Sequence, residues 1–478
     1  MTNQENSEPP DLGAFDTSAL SASSAPSAPS AALDGAPGTA LLTDHYELTM
    51  LQAALHSGAA HRRAVFEVFA RHLPHGRRYG VVAGTGRLLE AVERFRFGQE
   101  ELSFLRDSRI VDETTLRYLA SYRFGGNIWG YAEGDVYFPG SPILVVEGTF
   151  AEAVILETVA LSVLNHDCAI ASAASRMVTA AGGRPLIEMG SRRTHEAAAV
   201  AAARAAYIAG FGSTSNLRAR FQYGVPSSGT SAHAFTLVHD SERHAFVSQI
   251  ESLGPGTTLL VDTYDVARAV RTAIEVAGPS LGAVRIDSGD LPAVATQVRS
   301  LLDSLGATGT RIILTGDLDE YSIAGLAVAP VDGYGVGTSL VTGSGAPTAA
   351  LVYKLVARSD GHVGPGENLA AAGELRPVAK RSVGKPGRGG RKWAVRHRTD
   401  TGEALSERIS LVPADPAPTD RVLLHDLVKD GKIVGLEPLL TARQRHQAVL
   451  AELPAYALQL SRGYPAIPTV WVPDGEED

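Results

Sequence analysis

A histidine, two aspartates, a few arginines and a glycine turn stand out for the chemistry that they could do. Asp287 and Asp317 each close a short apolar run, and each stands near a glycine, Gly289 and Gly316. Two carboxylates at neighbouring strand ends suit the bidentate holding of a sugar diol or of a Mg²⁺ ion. Either one alone could equally cap the helix that follows, a role that Asp290 and Asp319 fit better. The turn Gly335-Val336-Gly337-Thr338-Ser339 sits at a strand-to-helix junction. Glycines there let the backbone approach a phosphate, and N–H and hydroxyl groups donate to it; the plainer reading is an ordinary tight turn.

Arg285 interrupts an otherwise apolar strand, where an unpaired guanidinium is costly to bury. It either pairs with a neighbouring acid or points at an anionic ligand. Arg192 and Arg193, just past Met189, pose the same choice, and a carboxylate or phosphate suits their planar donor forks. His233 follows Gly229-Thr230-Ser231-Ala232. A lone histidine is more often structural than catalytic, but its place in line with the other polar ends brings the two readings level. No Gly-x-x-x-x-Gly-Lys-Ser/Thr is present, nor a Gly-x-Gly-x-x-Gly at a first βα turn, nor a His-x-x-x-His zinc pattern, nor a nucleophile elbow.

The elements that must position these residues are short strands alternating with helices. Ala283–Ile286, Arg311–Leu314 and Val331–Val336 are apolar runs that each end in a polar cluster, and Leu291 to Leu305 carries apolar residues at helical spacing. Strand, polar loop, helix, repeated, is the pattern of a parallel α/β fold, whose ligand site gathers beyond the C-terminal strand ends. The recurrence of polar turns at 262, 287, 317 and 337 favours a closed or nearly closed barrel over an open sheet.

With 478 residues the chain has length for two or three domains. Residues 1–38 are rich in Ser, Ala, Pro and Gly and read as a disordered tail. Residues 39–150 read as a smaller α/β unit, 151–360 as the βα barrel, and 361–478 as a C-terminal segment with a basic loop near Lys380-Arg381-Ser382-Val383-Gly384-Lys385, packing near the N-terminal domain. A net charge of −9 argues against a nucleic-acid surface, and the single cysteine, Cys168, excludes an internal disulfide and suits a reducing compartment. No Lys or Arg precedes Arg62 and no 18-residue uncharged apolar run occurs, so neither a secretory signal nor a membrane span is expected. The chain reads as cytoplasmic.

Taken together, Thr43-Asp44-His45-Tyr46-Glu47-Leu48-Thr49-Met50, Gly229-Thr230-Ser231-Ala232-His233, Arg285-Ile286-Asp287-Ser288-Gly289-Asp290, Gly316-Asp317-Leu318-Asp319-Glu320 and Gly335-Val336-Gly337-Thr338 resemble the nicotinate phosphoribosyltransferase family, in matching order from about Leu41 to Lys385. The resemblance implies an irregular (β/α) barrel with a smaller α/β domain built from N- and C-terminal segments, and a homodimer with shared active sites. The implied reaction joins nicotinate to 5-phosphoribosyl 1-pyrophosphate (PRPP), coupled to ATP hydrolysis and requiring Mg²⁺. By the same resemblance, His233 is transiently phosphorylated and Tyr46 stacks on the pyridine ring. Arg285 and Thr230 meet the carboxylate, and Arg192 lies near the same ring and phosphate. Asp287 and Asp317, with Gly316 beside them, hold the ribose hydroxyls. Gly335, Gly337 and Thr338 hold the 5′-phosphate, and Lys380, Ser382 and Lys385 lie near ATP or pyrophosphate. The alternatives are nicotinamide phosphoribosyltransferase, a sugar-phosphate barrel enzyme, and a non-catalytic nucleotide-binding regulator. The Schiff-base version of the barrel enzyme lacks a lysine, since none precedes Lys354.

Overall fold

Alternating buried runs and helical stripes produce a parallel sheet wrapped by helices. The computed structural model describes residues 38–364, 367–380, 387–413 and 416–472. The expected tail, apart from Gly38, therefore lies outside the described residues, as do Ser382 and Lys385. Six parallel strands run in the spatial order Ser213–Thr214, Leu186–Glu188, Gly333–Val336, Arg311–Leu314, Ala283–Ile286 and Thr258–Leu260. Val284, Ile286, Ile312, Leu314, Tyr334 and Val336 are all buried, the signature of strands covered on their faces. Among the described residues the two edge strands do not pair with each other, so the sheet is a curled half-barrel.

The covering helices bury apolar stripes at helical spacing. Val266–Ala277 turns Ala269, Val270, Ala273 and Ile274 inward, and Leu291–Ser304 turns Ala295, Val298 and Leu302 inward. Asp290 caps the second of these by accepting from the Ala293 N–H at 3.3 Å, and Asp319 caps Glu320–Gly325 through the N–H groups of Tyr321 and Ser322. Both are the caps that their positions suggest, which leaves Asp287 and Asp317 for other work.

A second core forms around a seven-stranded sheet. Arg62–Ala70 lies inside it, antiparallel to both Leu144–Thr149 and Leu351–His362, and His425–Lys429 pairs with Asn127–Gly130. N- and C-terminal segments thus share one sheet. Trp393–Arg398 and Ala404–Ser410 anchor a further four-stranded sheet. The stretch from Phe150 is helical, as Phe150–Val154 and Glu157–Ala181. It serves both cores, giving Ile170, Ala174 and Met177 to the half-barrel and Val159, Leu164 and Cys168 to the other. Phe150–Ala181 is the one stretch among the described residues long and apolar enough to cross a membrane, and 61% of its most apolar window is buried inside the protein.

Candidate active site

Because all six strands point the same way, their C-terminal ends share one rim. Register puts Arg285 level with Leu260 on one side and Ile313 on the other, one residue short of the rim. Arg285 Nη1 donates to the Thr230 hydroxyl at 2.7 Å. Its Nε is buried with no partner among the described residues. Burial pulls this guanidinium below its ordinary pKa, opposed by the charges of Asp287 and Asp262 and reinforced by that of Arg192. Arg192 is exposed on the turn that Arg193 closes by donating its N–H to the Gly190 carbonyl at 2.8 Å. Two cations that feel each other, one with an unspent buried N–H, form a site that an anion would complete.

His233 opens the short helix His233–Leu237 after a loop; it does not end a strand of its own, as the sequence pattern implies. Its Nδ1 lies 3.1 Å from the Thr263 hydroxyl, just beyond the edge strand Thr258–Leu260. Nε2 has no protein partner among the described residues, so one ring nitrogen is held and the other is available.

The two aspartates differ in how far they are already engaged. The Asp287 carboxylate accepts from the Thr315 hydroxyl on the neighbouring strand end. Asp317 is exposed and has no hydrogen-bond partner among the described residues. Behind them sits Asp262, which sequence reasoning left among the strand-end residues without a role. Its Oδ2 accepts from the Asp287 N–H at 2.8 Å and the Ser288 hydroxyl at 2.7 Å, while Oδ1 is buried with no partner. It ties the Asp287 loop to the edge strand.

The glycines answer to packing as much as to ligand approach. A Cβ on Gly335 would lie 2.6 Å from Thr315 Cγ2 and 2.7 Å from Met189 Sδ, so the central strand there is clamped between neighbours. Gly316 has φ of +135°, a conformation that side chains resist. A Cβ on Gly190 would be 3.1 Å from the Gly337 carbonyl, which shows how closely the Arg192 turn and the Gly337–Thr338 turn approach. Glu188 holds that junction, and sequence reasoning missed it. It is buried at the end of Leu186–Glu188, and its carboxylate accepts from the Thr214 hydroxyl and the Gly190 N–H. Burial pushes its pKa up, and those hydrogen bonds oppose the shift. The available signal was an acid inside an apolar strand, the same signal that marked Arg285.

The structure therefore gathers Thr230, His233, Arg285, Asp287, Gly316, Asp317, Gly335, Gly337 and Thr338 along one rim, with Arg192 beside it. Two expected residues are not brought there within the chain. Tyr46 lies on His45–Ser57, next to Glu157 at the start of the long helix. Burial and the Glu157 charge push its hydroxyl up to about 12. Lys380 is exposed just past Arg376–Pro377, which belongs to the seven-stranded sheet.

Known proteins match this arrangement in sequence and in shape. The nicotinate phosphoribosyltransferase N-terminal domain matches residues 41–165. Nicotinate phosphoribosyltransferase pncB1 of Mycobacterium tuberculosis is 58% identical over 443 residues, covering 91% of this chain and 95% of the relative. Human nicotinic acid phosphoribosyltransferase shares the fold with a TM-score of 0.75 at 24% identity, over 90% of this chain and 97% of that one. A nicotinate-nucleotide pyrophosphorylase from Pyrococcus furiosus aligns with a TM-score of 0.68 at 26% identity, covering 88% of this chain and 95% of that one. The length and closeness of the match to the Mycobacterium tuberculosis relative settle the matter: this chain is an enzyme that belongs to the nicotinate phosphoribosyltransferase family.

Proposed function

We propose that this chain joins nicotinate to PRPP, giving nicotinate mononucleotide and pyrophosphate, in NAD biosynthesis or salvage. The observation that carries the reading is Arg285: a cation in mid-sheet, bonded to a neutral hydroxyl, with a buried N–H still unspent. A pyridine carboxylate supplies the acceptors that this group lacks, and a carboxamide supplies a weaker one. In the reaction the pyridine nitrogen forms a bond to the ribose anomeric carbon as the bond to pyrophosphate breaks. The transition state is oxocarbenium-like, so the protein's work is to align ring and sugar and to exclude water. Arg285 and Thr230 orient the ring through its carboxylate, with Arg192 beside them. Asp317 and Asp287 hold the ribose hydroxyls, and the Gly335–Thr338 turn takes the 5′-phosphate.

ATP and Mg²⁺ complete the proposal. His233 Nε2 would attack the terminal phosphorus of ATP, releasing ADP, while Thr263 holds Nδ1; hydrolysis of the phosphohistidine returns the free ring. Among the described residues no three His, Cys, Asp or Glu side chains form a cluster able to hold a metal. Mg²⁺ would arrive on the phosphates of the substrates, and the ion would neutralise charge on the departing pyrophosphate.

The remaining parts of the reading concern assembly and compartment. A homodimer with shared sites accounts for apolar residues left on the surface: Leu42, Tyr46 and Met50 around one helix, and Leu217 and Phe221, 73% and 81% exposed, on the helix that follows Ser215 near the rim. In this reading Tyr46 serves a partner's site, and Lys380, Ser382 and Lys385 belong to the phosphate end. The half-barrel is then part of an irregular barrel. A buried, unpaired Cys168 suits the cytoplasm. The test is mass detection of the mononucleotide with PRPP, with and without ATP, supplying nicotinate or nicotinamide in turn. Formation from nicotinate, stimulated by ATP, supports the reading; no mononucleotide from nicotinate overturns it.

A further inference from the structure

Between the Asp319 loop and the turn at Thr338 lies a second cavity of about 380 Å³. Its lining includes Arg77, His75, Arg462, Thr338, Ser339 and Thr342. Arg77 is the unusual member. It is only 6% exposed, and its one side-chain hydrogen bond among the described residues runs from Nη2 to the Gly343 carbonyl at 2.6 Å. No carboxylate lies within ion-pairing distance of it among the described residues. The acids on the wall are already engaged: Glu320 by Arg176 at 3.0 Å and Ser344 at 2.6 Å, Asp319 by the helix that it caps. Burial, and next the charge of Arg176, hold the Arg77 guanidinium below its usual range.

A buried cation that lines a cavity with no carboxylate paired to it is costly unless something supplies acceptors. The hydroxyls of Thr338 and Ser339 likewise donate to no protein atom among the described residues. They stand in the first turn after Gly337, so this cavity continues the rim described above. The geometry, the charge and the open donors all call for a compact oxyanion with several acceptors.

We infer that Arg77, reaching into this cavity from the N-terminal domain, is the specificity-determining cation for the phosphate monoester that the Gly335–Thr338 turn takes in the reaction proposed above. The inference rests on the phosphoribosyl transfer proposed above and adds to it a residue that no rim motif contains. Pyrophosphate offers the same chemistry, so the experiment separates the two sources. Binding of ribose 5-phosphate, and separately of pyrophosphate, is measured by calorimetry on the full-length protein and on Arg77→Gln, with KM for PRPP and for nicotinate alongside.

The expected result is a loss of ribose 5-phosphate affinity of about tenfold or more, as for a charge-assisted hydrogen bond removed. KM for PRPP rises in step, while pyrophosphate binding and the nicotinate KM stay within about twofold. Arg77→Lys recovers part of the loss, because it restores charge without the fork. Ribose 5-phosphate binding to folded Arg77→Gln as tightly as to the parent overturns the inference, and so does a loss confined to pyrophosphate. Should Arg77→Gln fail to fold, Ser339→Ala must weaken ribose 5-phosphate, and no change there overturns it equally. A parent protein that binds ribose 5-phosphate through Arg77 yet makes no mononucleotide leaves the cavity assigned and removes the proposed reaction instead.

Discussion

Arg285 and Thr230 stand 55 residues apart in the chain and meet through a 2.7 Å hydrogen bond at the rim of the half-barrel. The bond spends one of five guanidinium donors and leaves the buried Nε open, so the pair orients a cation without neutralising it.

That arrangement predicts a selective defect. Arg285→Gln should raise the KM for nicotinate by about ten- to a hundredfold, the range expected when hydrogen bonds to a charged group are lost. Use of nicotinamide should change little. Steady-state kinetics with each pyridine in turn is the check, and an equal loss for both would count against carboxylate pairing.

His233 yields a second prediction through its contact with Thr263. Replacing His233 by Ala should abolish the stimulation by ATP and leave slow ATP-independent turnover. Thr263→Val should reduce coupling less, because the ring stays but loses its orientation. The parent protein should carry an acid-labile phosphate after incubation with ATP, and mass spectrometry at neutral and at low pH provides that independent readout. Full coupling in the alanine variant would remove the histidine from the scheme.

Much of the rim was legible because its signals are local. Arg285 is conspicuous as a cation in an apolar strand, and Asp290 and Asp319 sit where caps must sit. Asp262 and Glu188 carried weaker signals, because what they do depends on partners from other strands: the Asp287 N–H is 25 residues from Asp262, and the Thr214 hydroxyl 26 from Glu188. The second core was harder still. There the strand Arg62–Ala70 pairs Val68 with Tyr353 and Phe66 with Leu355, and no periodicity within either segment encodes a partner so distant. The repeat of βα units pointed to a closed or nearly closed barrel, yet edge pairing is a property of the whole sheet and cannot be read from any one unit.

A third prediction concerns acid stability and lies away from the rim. His446 is buried, with Nδ1 2.9 Å from the Gly134 carbonyl and Nε2 2.9 Å from the Ser175 hydroxyl. Burial brings its pKa from 6.5 down to about 4. As pH falls below 6.5 the unfolded imidazole takes up a proton that the folded one refuses until about 4, so stability drops across that window. The difference amounts to about 3 kcal/mol once both pKa values are passed. His446→Gln should cost about 1–3 kcal/mol at pH 7, where a buried hydrogen-bonding pair is disturbed. The deficit should narrow towards pH 4.5, because the variant has no proton to refuse. Urea melts at a series of pH values test this, and parallel curves would refute it.

The last prediction concerns Gly335, held between Thr315 and Met189 on the central strand. A methyl group there would meet Thr315 Cγ2 at 2.6 Å and Met189 Sδ at 2.7 Å, and a β-branched residue yields less easily than a thioether. Gly335→Ala should therefore cost about 1–3 kcal/mol, the range for overpacking a filled core. It should also push the Thr315 hydroxyl off the Asp287 carboxylate, so PRPP binding should weaken together with stability. Thr315→Ser keeps that hydroxyl and removes the colliding Cγ2. The double variant Gly335→Ala/Thr315→Ser should regain most of both losses, whereas Gly335→Ala/Met189→Ala should regain stability more than PRPP affinity. A double-mutant cycle read by urea melts and by KM for PRPP distinguishes the two neighbours. If serine at 315 restores neither quantity, the clash lies elsewhere, and the glycine is required for the approach of ligand to backbone and not for the fit between strands.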